Sequence, residues 1–460
     1  MGSSLQRKYG LFTAICMVVG IVIGSGIFFK AQTILQKTEG NMPLGILAWI
    51  IGGAIMLVNL LTFSFMGQKY EKVNGLVDYA EATVGSKYGY YMGWFTTTIY
   101  MPSMTATLAW LTARYTLEFI TSANPAFPLT IPASQGGCMI GPECMALTLF
   151  YLCAIYAVNV LSPKLAGKLQ TSTTVIKLIP IGLMAIVGLI YGIATGTLQE
   201  NITTTAQVEA VSSSPLFTAV CATAFAYEGW IIATSINAEI KDSKKNLPRA
   251  LIIGGVVIVA AYLFYYIGVA GGASNQELVD KGATIAFTNI FGNVLGNILN
   301  LFVAISCLGT TNGLMLGCSR CMYSLASRGE GPAPETFQQV DQKTNMPGNS
   351  AVFALMITAV WFVYFYLTAL SGIWKGAFVF DSTELPIITV YLMYLPMIVQ
   401  WMRKEKDQNS LRRFVMPSLA LCGCIFMVIA SVFSHGMGCV WYLIFFAIIM
   451  LIGGLMNRRK

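Results

Sequence analysis

Two short stretches set polar, backbone-freeing residues in the middle of apolar runs. In "GIVIGSGIFF", Gly20 to Phe29, three glycines and a serine interrupt a segment otherwise fit to be a smooth membrane helix. A helix broken inside hydrocarbon frees N–H and C=O groups that only protein, water or a ligand can satisfy. After Gly24-Ser25-Gly26 the next half-helix offers its N-terminal amides and positive dipole end, a setting for a carboxylate. The preceding half-helix ends in the carbonyls of Val22 and Ile23, which suit an ammonium group. A zwitterion fits both. The same residues also allow a plainer role, in which Gly20 and Gly24 let another helix pack closely.

The second stretch is "FAYEGW", Phe225 to Trp230, which puts Glu228 in the middle of an apolar segment. Ionisable residues there are costly and usually functional. Gly229 again supplies backbone freedom. Phe225, Ala226 and Tyr227, with Trp230, supply apolar and aromatic surface to cover a ligand. Glu228 has a structural alternative as well, as a protonated or hydrogen-bonded link to a neighbouring helix. Lys177, in "TSTTVIKLIP", is the one lysine deep inside an apolar run. Its ammonium needs oxygen partners, for which the freed carbonyls of the first break are candidates; snorkelling toward the end that carries Lys168 is the alternative.

Three further groups stand nearer the ends of runs. Arg114 and Glu118, spaced i,i+4, are expected to pair with each other. Asp381 and Glu384 in "FVFDSTELP" lie one helical turn apart at the start of a late run, where they line either an outer vestibule and gate or a hydrated loop end. His435, the single histidine, is expected to be solvated in a short outer loop.

The elements that must position these residues are membrane helices. The chain has 460 residues, 56% hydrophobic and 10% charged, with mean hydropathy +0.67, against roughly 25% charged residues in soluble domains. Runs of about 20 apolar residues, enough to cross hydrocarbon, begin near Leu11, Gly45, Tyr91, Met145, Val175, Ser214, Leu251, Thr284, Ala351, Gly376, Phe414 and Met437. The reading is therefore an all-α integral membrane protein of twelve transmembrane helices. A β-barrel is excluded, because the runs do not alternate with period two. With both termini cytoplasmic, 22 of the 28 Lys and Arg fall on the inner side, as the positive-inside rule demands. The net charge of +8 thus reflects topology, and no nucleic-acid partner is expected. Arg7 and Lys8 precede an apolar run too long for a signal peptide and lacking a cleavage site.

No soluble domain separates the runs, and no phosphate loop, nucleophile elbow or acid–base pair marks an enzyme. No cofactor or metal is expected. Cys318 and Cys321 form C-x-x-C on an apolar helix without a second pair, so neither zinc nor redox chemistry is assigned to them. Cys138 and Cys144 share a polar outer loop and have a spacing that permits, without requiring, a disulfide. The sequon Asn201-Ile202-Thr203 is read as chance. The two interrupted runs are the first and the sixth, five spans apart, so they cross the bilayer in opposite directions. That is the pattern of inverted five-helix repeats with paired broken helices near the midplane. The expected division is a first repeat over about 10–200, a second over about 214–402 and two added helices over about 412–456.

Taken together, "VIGSGIFF", "FAYEGW" with "NAEIKDSKKNLPRAL", Lys177, and "TTNGLMLGCSRCMYSLASRGEGP" resemble the amino acid, polyamine and organocation superfamily. The pattern is most similar to the L-type amino acid transporter family and its bacterial relatives, over nearly the whole chain. The resemblance implies two inverted five-helix repeats plus two helices, and a central amino acid site. Ser25 and Gly26 would bind the substrate carboxylate through backbone amides, with Gly24 allowing the break. Carbonyls near Val22, Ile23 and Phe225 would receive the α-ammonium, with Phe225 as a gate. Lys177 matches the family lysine that stands in place of a sodium ion, implying sodium-independent transport, often obligatory exchange. The second span ends "LTFSFMGQKYEKVNGLVDYAEA", a departure from the family pattern that implies a differently built inner gate. Glu228 stands where relatives vary, and an acid there favours cationic side chains or is neutralised while neutral amino acids bind. Eukaryotic relatives join a single-span partner through a cysteine in the loop that holds Cys138 and Cys144; no such subunit is expected here. The expected function is amino acid transport by alternating access in the plasma (inner) membrane. The alternatives are a polyamine or organocation transporter, and a non-transporting receptor or channel.

Overall fold

The computed structural model describes residues 7, 9–24, 26–70, 75–207 and 214–457, with the backbone alone for 235–238. Within them helices are the only regular elements, and strand pairing is limited to a single isolated bridge, Tyr9 to Ile240. In order, the helices that matter below are α1 (Leu11–Val22), α2 (Gly26–Lys37), α3 (Met42–Lys69), α4 (Gly75–Thr83), α5 (Ser86–Phe95), α6 (Met101–Ala123), α7 (Pro142–Leu161), α8 (Pro163–Leu183), α9 (Leu189–Thr195), α10 (Pro215–Tyr227), α11 (Ser243–Gly272), α12 (Ala283–Ala326), α13 (Gly348–Phe365), α14 (Leu385–Lys404), α15 (Met416–His435) and α16 (Met437–Met456).

Among the described residues eleven helices, counting α1 with α2 and α8 with α9 as single crossings, are long and apolar enough to span a membrane. The run expected from Tyr91 is not one of them. It is a continuous helix nonetheless, α5 passing through a π turn at Thr96–Tyr100 into α6. Its threonines lower its hydropathy, and their hydroxyls are satisfied locally: Thr105 donates to the Met101 carbonyl at 2.8 Å and Thr112 to Leu108 at 2.8 Å. A hydroxyl bonded one turn back costs little in a buried helix, because neither partner is left unpaired.

Two expected starts move furthest. The run expected from Val175 begins at Pro163, twelve positions earlier, because Thr171, Thr173 and Thr174 satisfy their hydroxyls on carbonyls of their own helix. The run expected from Gly376 begins at Leu385, and the stretch before it is irregular, with φ of 97° at Gly376 and 60° at Phe378. Pro386 then sits in the first turn of α14, where a missing N–H costs nothing.

Burial separates core from rim. The broken crossings are the most enclosed, with 76% of the apolar window of Leu11–Lys37 and 89% of that of Pro215–Thr234 buried, against 17% for α16. Rim helices turn Phe150, Ile186, Val360 and Leu455 outward, as expected where lipid is the solvent. The glycine of α1 at Gly20 faces α8 so closely that a side chain would collide with Thr174 and Gln170, so packing is one of its roles.

The eleven cysteines are all free thiols. Cys138 and Cys144 are both buried and unlinked. Asn201 of the sequon is also buried: its side chain donates to Ala270 and Ala273 and accepts from the Asn275 amide at 2.8 Å. It staples the loop before α10 to the end of α11.

Candidate functional site

The two interruptions form against each other. α1 stops at Val22, Ile23 is extended (φ −73°, ψ 90°), and the Gly24 amide turns back to the Val22 carbonyl at 2.9 Å before α2 starts at Gly26. α10 stops at Tyr227, Glu228 is extended, and Gly229 takes φ 106°, a value that side chains disfavour. The chain resumes as a tight 3₁₀ helix, Trp230–Glu239. A side chain at Gly26 would sit 2.7 Å from the Ala226 Cα, and one at Gly229 would sit 2.9 Å from the Ile21 side chain. Rising numbers on one break thus meet falling numbers on the other, so the broken segments cross antiparallel at their breaks.

Lys177 reaches the first break. Fully buried on α8, it donates to the Gly20 carbonyl at 2.8 Å, the Ile23 carbonyl, the Ser306 carbonyl at 3.1 Å and the Thr310 hydroxyl at 3.2 Å. Ser306 and Thr310, one turn apart on α12, complete the shell, donating to the Gly24 carbonyl at 3.2 Å and the Gly20 carbonyl at 3.1 Å. Snorkelling is thereby excluded, and the orphan carbonyls of a helix C-terminus meet a cation. This corrects one expectation: the Ile23 carbonyl is engaged by Lys177 and is not free for an incoming ammonium. The Val22 carbonyl is partly engaged too, since the Tyr262 hydroxyl bridges it and the Ala226 carbonyl at 3.0 Å each.

Between the breaks lies a cavity of only 20 Å³, lined by Val22, Gly24, Gly26, Phe225, Glu228, Thr310 and apolar side chains of α6 and α12. Ser25 lies outside the described residues. Glu228 is buried and accepts a hydrogen bond from the Tyr100 hydroxyl; Tyr100 closes the π turn between α5 and α6, a distortion that places side chains off the helical register. Tyr227 and Ala226 do not line this cavity. Tyr227 points away, donating to the Trp49 carbonyl at 3.0 Å inside a ring cluster with Trp49 and Tyr262. Residues next to each other on a helix face different ways, so only every third or fourth position of "FAYEGW" reaches the site.

Phe225 also floors a second cavity of 420 Å³ that includes Lys30, Trp110, Arg114, Phe365 and Asp381 to Thr383. Beside it Lys30 is buried against Glu384 at 2.5 Å and lies 5.3 Å from the Phe225 ring centroid. His435 is not solvated as expected; its Nε2 meets the other Glu384 oxygen at 3.1 Å. Asp381 and Glu384 have parted roles. Asp381 caps the turn, accepting from the Thr383 and Glu384 amides at 2.6 and 2.9 Å, while Glu384 meets Lys30 and His435. Arg114 and Glu118 pair at 2.7 Å.

At the opposite, Lys- and Arg-rich end ion pairs tie the helices together. Arg320 of α12 forms a buried ion pair with Glu239 and donates to the Leu316 carbonyl at 2.7 Å. The Tyr9 amide bonds to the Glu239 carbonyl at 3.0 Å, which ties the chain before α1 to the chain after the second break. Arg328 pairs with Asp78 of α4 and lies 3.5 Å from Glu81. Four of these participants, Tyr100, Lys30, Arg320 and Glu239, escaped the sequence reading. Arg320 and Lys30 looked like ordinary flank charges, and only "TTTIYMP" gave a signal for Tyr100, as a helix distortion before a proline.

The family model described as amino acid permease matches residues 9–455. The serine/threonine exchanger SteT of Bacillus subtilis is 27% identical over 447 residues, covering 95% of this chain and 94% of that one. The large neutral amino acids transporter small subunit 2 of Mus musculus is 27% identical over 367 residues, 79% of this chain and 66% of that one, so this chain spans just under two thirds of that mammalian relative. The solved structure of MhsT in complex with L-phenylalanine is similar in fold, with TM-score 0.62 at 13% identity, covering 94% of this chain and all of that one.

Proposed function

The chain belongs to the amino acid permease family, and on that premise we propose that it is a secondary transporter that exchanges amino acids across the plasma membrane by alternating access, without sodium. The observation that carries this reading is the pair of antiparallel breaks with the Lys177 ammonium fixed in the first. Four oxygens around Lys177 form the kind of shell a small monovalent cation would otherwise need, so an ammonium group built into the chain removes the requirement for one. Transport is then driven by the exchanged amino acid.

In this reading twelve helices cross the membrane, the Ser86–Ala123 helix among them, with cytoplasmic termini and no accessory single-span subunit. Two inverted repeats, about 10–200 and about 214–402, each contribute one broken helix, and about 412–456 adds two helices. The substrate carboxylate sits on the amides of Ser25 and Gly26 at the start of α2, where the dipole is positive. Its α-ammonium takes the Phe225 carbonyl in the last turn of α10, together with what capacity Val22 retains. The 20 Å³ cavity has room for about one water, so an amino acid enters only when Phe225 and the two short helices move apart. Lys30 with Glu384 guards the side of the larger cavity, and Arg320 with Glu239 guards the basic side. Glu228, held by Tyr100, sets preference between neutral and cationic side chains.

A polyamine lacks the carboxylate and would leave the amides after the first break without an anion. The test is uptake of labelled amino acid into proteoliposomes loaded with unlabelled amino acid, competed by a panel of amino acids, with and without sodium and a pH gradient, for wild type and Glu228→Ala. Acceleration by internal amino acid, unaffected by sodium, is expected. A non-saturating conductance, or strict sodium dependence, overturns the proposal.

A further inference from the structure

Above Phe225 three potential metal ligands converge from three separate elements. Cys221 lies on α10, Glu384 in the turn before α14, and His435 at the end of α15; one ligand atom from each lies within 4.8 Å of the others. Cys221 and Glu384 are buried and His435 is half-buried. The Glu384 Oε2 already faces His435 Nε2 at 3.1 Å, while Oε1 faces Lys30. We propose that Cys221, Glu384 and His435 form a binding site for a thiophilic divalent cation of the Zn²⁺ class, and that occupancy locks the transport cycle.

Thiolate, imidazole and carboxylate together are the donor set that Zn²⁺ and Co²⁺ select, and that Ca²⁺ and Mg²⁺, which want oxygen alone, do not. A three-ligand site leaves the fourth position to water; the 420 Å³ cavity reaches as far as Lys30, the ion-pair partner of Glu384. The cation displaces the proton of the Cys221 thiol to solvent and takes neutral His435 through Nε2, the imidazole carrying its proton on Nδ1. Lys30 yields Glu384 and turns to the neighbouring Asp381 carboxylate, so its charge is not stranded.

The locking follows from geometry and rests on the transport reading above. Cys221 is four residues before Phe225 on the same helix, hence on the same face one turn away. A bond from Cys221 to α14 and α15 fixes the turn that carries Phe225, which the substrate must displace.

The experiment titrates purified full-length protein with Co²⁺. A thiolate-to-cobalt charge-transfer band, displaced by Zn²⁺, is expected. It should survive in Cys153→Ser/Cys422→Ser, which removes the exposed thiols, vanish in Cys221→Ser, and need at least about tenfold more metal in His435→Ala. No band, or a band unchanged by Cys221→Ser, overturns the site. In proteoliposomes Zn²⁺ should block exchange in wild type, while Cys221→Ser exchanges normally and is insensitive. Metal binding with undiminished exchange overturns the lock. If wild type exchanges no amino acid even without metal, the transport reading falls while the cobalt titration still decides the site.

Discussion

The Lys177 ammonium meets three backbone carbonyls and one hydroxyl, with no carboxylate among the partners. Its position is set by α8, yet what it stabilises is the end of α1 and the α12 turn behind it. Replacing it by alanine strips the donor from carbonyls that hydrocarbon cannot hydrate, at about 1–3 kcal/mol for each group left unpaired. We expect Lys177→Ala to remain a monodisperse membrane protein whose exchange falls by more than about tenfold. Lys177→Met, which keeps the volume but not the charge, should fail equally. Normal exchange by either variant would refute the role given to the ammonium.

The elements owe their irregularity to a few positions of close approach. At Gly26 the obstacle to a side chain is the Ala226 backbone, which cannot step aside; at Gly24 it is the Thr310 hydroxyl, at 3.0 Å, which can. Gly26→Leu should therefore lower the thermal midpoint as well as exchange, since overpacking costs about 1–3 kcal/mol. Gly24→Ala should leave the midpoint near wild type while slowing exchange, because it pushes Thr310 off the Lys177 shell. Circular-dichroism melts beside uptake assays separate the two. Equal loss of stability in both variants would mean that the whole first break is simply packing.

Across the whole molecule, two buried ion pairs stand at opposite ends of the path through the breaks. Arg320 and Glu239 join α12 to the segment after the second break, and Lys30 and Glu384 join α2 to the turn before α14. Neutralising one partner of a buried pair leaves the other charge uncompensated, at about 3–5 kcal/mol. Glu239→Gln should lower the thermal midpoint and let substrate leak from the basic side. The double variant Glu239→Gln/Arg320→Met should recover part of the stability, because no lone charge remains. Leak without destabilisation, or no recovery, would place this pair outside the seal.

Residue order by itself determined that the chain lives in a membrane, that the runs holding Gly24 to Gly26 and Glu228 are broken, and that Lys177 must find oxygen partners inside hydrocarbon. Each follows from local composition: length and hydropathy for the crossings, glycine and charge for the breaks, the cost of a bare ammonium for Lys177. Tertiary structure decided who meets whom. That Lys177 takes the Ile23 carbonyl, that Tyr227 turns toward Trp49 while Glu228 turns toward Tyr100, and that His435 closes on Glu384 depend on rotation and depth of helices far apart in the chain. A charge at a helix end reads the same in sequence whether it is solvated or buried. Only packing, which brings Lys30 to Glu384 across 354 residues, tells a flank residue from part of the site.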